Sequence, residues 1–203
     1  MQLGVYIYTP ELKAGALRKT LRAMSEHGTH CEVPPGTHLA THKGRIHFRM
    51  TVDDPLYRNV PRLTGFNWEA ESYDYEAHYE ALRAHWRKHA PPRNLFQMLF
   101  RIRPKVDFPF IAGPEMDDTL RLCTHRFHLN WDGEEDDCTF RLGLHFASAF
   151  AEMTGGLVED PVIGRWLTGP TATHVFHHEV EHFEEHLEPA DLMAAKFMGW
   201  PKE

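Results

Sequence analysis

The chain has 203 residues, is 42% hydrophobic and holds five Trp, enough apolar material for one substantial core without disulfides or a structural metal. Its net charge of -7 is unevenly spread: residues 1–131 carry 18 basic and 14 acidic side chains, a net of +4, while residues 132–203 carry 4 and 15, a net of -11. That acidic third repels nucleic-acid phosphates and favours basic partners, and no stretch approaches the roughly 20 apolar residues of a bilayer span.

The first nine residues lack a positive flank and a small-residue cleavage site, so no secretory signal is expected. Cys31, Cys123 and Cys138 are odd in number and form no CxxC pair, which suits a reducing cytoplasm. Leu3 to Tyr8 reads as a buried strand. Thr9 as a cap, Pro10 in the first turn, Glu11 at the positive end of the dipole and Gly28 as a stop predict a helix over 10–27, with Ala14, Leu17, Leu21 and Met24 on one face. Cys31 to Val33 is a short strand, and Arg45 to Val52 alternates as a half-buried strand does. Residues 53–73, with Pro55, Pro61 and Gly65, read as a turn-rich segment whose Tyr57, Phe66 and Trp68 close over a core or groove.

Asp74 caps a second helix over 74–89 with Tyr75, Tyr79, Leu82 and Trp86 in a stripe, ended by Pro91 and Pro92. The basic run Arg83, Arg87, Lys88, Arg93, Arg101, Arg103 and Lys105 reads as a solvated helix face and loop, and 104–114 as a connector. Thr119 to Trp131 alternates and is expected to be one long strand. The acidic loop from Asp132 leads into a helix over 138–153 lined by Leu142, Phe146, Ala149, Phe150 and Met153, and stopped by Gly155. Residues 157–167 form a hairpin around Asp160 and Pro161. The fold class expected is therefore α+β: two β-α-β-β-like halves, 1–104 and 115–203, in a single domain over 1–203. Their antiparallel or mixed sheet is covered on one side by the three amphipathic helices, and a C-terminal helix starts near 174.

On that last helix Phe176, Val180, Phe183 and Leu187 form an apolar stripe, with His174, His178, Glu181, His182 and Glu185 opposite. His178 and His182, four residues apart, are spaced to hold one zinc ion, with Glu179 placed as a general base. This H-E-V-E-H sequence resembles the zincin metalloprotease motif, which would make the chain a zinc-dependent hydrolase. Glu181 takes a central position that the family keeps uncharged, and Glu185 and Glu188 stand where its extended form has Gly and a third His. Ser148 has no G-x-S-x-G elbow, and phosphate-binding glycine loops are absent from the sequence.

Residues 144–161, LHFASAFAEMTGGLVEDP, run from an amphipathic helix through Thr-Gly-Gly and a short strand to Asp-Pro. They resemble the C-terminal element of small α+β bacterial toxin-immunity proteins. That resemblance implies a protein that blocks a toxin by binding it, and the acidic third suits a basic target. The reading favoured is a non-enzymatic cytosolic binding protein without a cofactor. Its expected contact residues are Asp132, Glu134, Glu135, Asp136 and Asp137 in the loop, with Glu181, Glu184 and Glu185 on the helix; the zinc hydrolase is the alternative.

Overall fold

A computed structural model describes residues 2–89, 110–132, 137–189, 192 and 194–201. Seven strands among them form one antiparallel sheet. In chain order they are β1 (Gln2–Thr9), β2 (Thr29–Glu32), β3 (Gly44–Val52), β4 (Arg62–Ser72), β5 (His125–Asp132), β6 (Leu157–Asp160) and β7 (Arg165–Thr168). The helices are α1 (Ala16–Glu26), α2 (Tyr75–His89), α3 (Asp117–Leu122), α4 (Asp137–Thr154) and α5 (Gly169–Glu184). The chain is thus an α+β fold, and no helix among the described residues is long and apolar enough to cross a membrane.

The strand order is β2-β3-β4-β5-β1-β6-β7. β1 lies between β5 and β6, and β5 between β4 and β1, so the leading strand of each half is paired by strands of the other half. The two halves are interleaved.

Alternation along the strands sends Val5, Ile7, Ile46, Phe48, Phe66, Trp68, Phe127 and Leu129 to one face, all nearly fully buried. α4 lies across that face with α1 and α5 on its flanks. Its Phe146 and Phe150 meet the Trp68 ring edge-on at 5.8 and 5.6 Å, while Phe127 stacks on Trp68 at 4.8 Å. Because α4 is covered on three sides, almost every residue from Cys138 to Ala151 is buried, beyond the single stripe expected, and Met153 is left 39% exposed.

Several expectations need correction. The first helix begins at Ala16, because the backbone carbonyls of Thr9 and Pro10 accept hydrogen bonds from Thr124 instead of starting a helix. Gly15, in the left-handed region at φ 81°, turns the chain into α1. The segment read as turn-rich contains the 11-residue strand β4. Gly65, taken as a turn signal, is a point of close strand approach: a Cβ there would lie 2.2 Å from the Ile46 carbonyl oxygen. Thr119 to Leu122 belongs to helix α3, and the strand starts at His125. α5 starts five residues early, capped by Thr168, whose hydroxyl accepts from the Thr171 amide, with Pro170 in the first turn. α2 lies on the opposite face of the sheet from α4. Its Tyr75 packs with Tyr8, Leu120, Cys123 and Leu157, and Tyr8 points away from Ile7. The basic positions 93, 101, 103 and 105 lie outside the described residues.

Candidate binding site at the paired ends of two helices

α4 and α5 pack antiparallel, as the pairs Phe140–Phe183 and His145–His177 show. The start of α4, next to the acidic loop, therefore lies at the same end as the close of α5. Asp137, which opens α4, and the acidic close of α5, far apart in sequence, are thus brought to one end of the molecule.

The base of this end is a buried ion pair. Arg141 and Glu184 have side chains 7% and 8% exposed, with Arg141 Nε 2.7 Å from one carboxylate oxygen and Nη2 on the other. Tyr57, on the turn after β3, donates its hydroxyl to the same carboxylate, and the guanidinium lies 5.4 Å over its ring. Burial alone would lower the Arg141 pKa, but Glu184 more than offsets it and the net shift is upward. Burial, then the Glu184 charge, push Tyr57 well above the usual phenol range.

From Arg141 the network continues inward. Nη1 donates to Thr29 Oγ1 at 3.2 Å, and that hydroxyl lies 3.0 Å from His145 Nδ1. His145 is 6% exposed and its Nε2 is buried with no partner among the described residues. Burial, then Arg141, His177 and His27, lower its pKa to about 3. The imidazole is neutral when folded and becomes basic again on unfolding, so unfolded chains bind more protons between about pH 6.5 and 3. Stability is thus lost as pH falls through that window, by up to about 5 kcal/mol from this group. A His145→Gln variant, compared with wild type by urea unfolding at pH 7, 5 and 4, should show a stability difference that shifts steadily in its favour toward acid. A pH-independent difference would sink this assignment.

Above the ion pair opens a concavity of about 360 Å³, walled by Asp53, Asp54, Glu181, Glu185, His27 and His177. Neighbours hold these carboxylates in place. Asp53 pairs with His30 Nε2 at 2.7 Å, Asp54 accepts from the Leu56 amide at 2.8 Å, and Glu181 and Glu185 pair with His177 and His182 at 3.2 and 3.3 Å. Of the expected contact residues, Glu181 and Glu185 are exposed here and Asp137 opens α4 at the same end. Glu184 is a correction: it points inward and is held by Arg141 and Tyr57, so it offers no charge to the surface. Glu134, Glu135 and Asp136 lie outside the described residues, as does the side chain of Asp132.

The H-E-V-E-H residues lie on α5. His178 and His182 are exposed, and both Glu179 oxygens pair with Arg165, at 2.7 and 2.9 Å. Among the described residues no group of three His, Cys, Asp or Glu is arranged to hold a metal ion.

Asp53, Asp54, His27 and Arg141 were missed in the sequence. Asp53-Asp54 reads as a turn, and the partner of Arg141 lies 43 residues further on. No protein-family model matches the chain, and no curated protein or solved structure shows significant similarity to it.

Proposed function

We propose that the protein is a non-enzymatic binding protein of the immunity type, which neutralises a basic toxin in the cytoplasm by covering it with the acidic end. The observation that supports this most is the convergence of Glu181 and Glu185 with Asp53 and Asp54, two separate parts of the chain, around one hollow. These carboxylates are anchored by neighbours before any partner arrives, which lowers the ordering cost of binding. Fixed negative charge of this kind speeds encounter with a cationic surface and sets the register of docking.

The test is affinity capture from the source organism by wild type and by Glu181→Lys/Glu185→Lys in parallel. Wild type is expected to retain a basic protein at low salt and release it as ionic strength rises, and the double variant to bind it at least about tenfold more weakly. The captured protein should poison cells when produced alone and be harmless when co-produced with the wild type. Identical capture by both forms, insensitive to salt, would remove the reading.

A further inference from the structure

α1 and the loop between β2 and β3 enclose a hollow of about 440 Å³ between them, walled by Leu12, Leu17, Leu21, Val33 and Leu39. Leu12, Leu17, Leu21 and Val33 pack on the core with part of their surface and leave the rest accessible. The loop wall is pinned in place. The Leu39 carbonyl accepts from the Trp68 indole at 2.9 Å, Thr37 donates its hydroxyl to the Pro34 carbonyl at 2.8 Å, and the His42 amide donates to the His38 carbonyl at 2.9 Å. The hollow is therefore formed before any occupant arrives.

Charge at its mouth is of one sign. Exposed Lys13 and Arg18 line it, and no carboxylate does. Neither has an acidic partner among the described residues, whereas Arg22, one turn further along α1, pairs with Glu26 at 3.3 Å. Gly15 to Arg18, which open α1, also line the hollow, and the helix has neither a capping side chain nor an acid in its first turn. The positive end of its dipole adds to the two cations.

An aliphatic trough of this volume falls in the ~300–1,000 Å³ range of small-molecule sites, which combine apolar walls with a few polar groups that fix orientation. A second copy presenting the same face would set Lys13 and Arg18 against their own counterparts, so the charge favours an anionic occupant.

We propose that this hollow binds a single-chain amphiphile with an anionic head, the chemistry of a medium-chain fatty acid. The alkyl chain lies against Leu17, Leu21, Val33 and Leu39, and the carboxylate meets Lys13 and Arg18 where α1 begins. The site shares no lining residue with the acidic hollow and does not depend on the toxin-binding reading.

The probes are decanoate, hexanoate, decanol and decyltrimethylammonium, each titrated below its micellar concentration into the full chain, with methyl resonances followed by NMR. Decanoate should bind one to one and shift the Leu17, Leu21 and Val33 methyls. Hexanoate should bind at least about tenfold more weakly, because it buries fewer methylenes. Decyltrimethylammonium should also bind at least about tenfold more weakly, because its head is repelled. Lys13→Glu/Arg18→Glu, changes at exposed positions, should cancel the preference for decanoate over decyltrimethylammonium and leave decanol unaffected. Ala40→Trp, which fills the hollow from its exposed rim, should remove binding of every probe. Glu181→Lys/Glu185→Lys should bind decanoate as the wild type does, which separates this outcome from that of the acidic end. Equal affinity for decanoate and decyltrimethylammonium, or shifts confined to other parts of the chain, overturns the proposal. A wild-type dimer dissolved by Ala40→Trp would make a second copy the occupant and overturn it too. So would capture on phosphatidylglycerol vesicles without one-to-one decanoate binding, which would make the hollow part of a membrane contact.

Discussion

Arg141→Met is expected to cost about 3–5 kcal/mol of unfolding free energy, because it leaves the Glu184 carboxylate buried without its counter-ion. Glu184 is 8% exposed on its side chain and accepts from Arg141 through both oxygens, with Tyr57 as a third donor. The same guanidinium satisfies Thr29, so its removal loosens the start of β2 as well as the contact between α4 and α5. Replacing both charges, Arg141→Met with Glu184→Leu, should recover most of the loss, since a hydrophobic pair carries no desolvation penalty. Urea unfolding of the two singles and the double measures the coupling directly. Single variants within about 1 kcal/mol of wild type would contradict the geometry described here.

Trp68→Ala should cost about 3–5 kcal/mol through the cavity it leaves. The ring is fully buried and touches Phe66, Phe127, Phe146 and Phe150, so two strands and α4 lose their common contact. Its indole N–H also donates to the Leu39 carbonyl at 2.9 Å, fixing the loop between β2 and β3 against the core. Trp68→Phe should retain most of the ring contacts and lose that hydrogen bond, for a smaller cost near 1–3 kcal/mol. Equal costs for Ala and Phe, measured by chemical denaturation, would show that ring packing is not what the position supplies.

Much of the fold was legible where period and punctuation agree. β3 alternates cleanly, Asp74 accepts from the Ala77 amide at 3.1 Å as a cap should, and Gly155 ends α4 at φ 67°. Reading failed where one residue type serves two purposes. Gly65 marks a turn in most sequences and here admits a neighbouring backbone, so its flanking alternation of Thr64, Phe66 and Trp68 was overlooked. The apparent alternation from Thr119 to Thr124 also fits a single helical turn, and α3 is held by the Asp117 carboxylate, which accepts from the Ile111 and Ala112 amides and the Tyr75 hydroxyl. At the site, the acidic faces of α5 were visible from its period. The inward turn of Glu184 depends on Arg141, a single cation on another helix, and no local pattern announces that pairing.

The interleaving of the strands bears on how the chain is made. β1 is made before the other described strands, yet its hydrogen-bonding partners are β5 and β6, beginning at His125 and Leu157. An emerging chain therefore carries Val5 and Ile7 without their neighbouring strands until β5 and β6 have been made. Such long-range closure slows folding and extends the period in which a sticky edge can meet another nascent chain. The pace at which residues 125–160 are made would then influence the yield of native molecules.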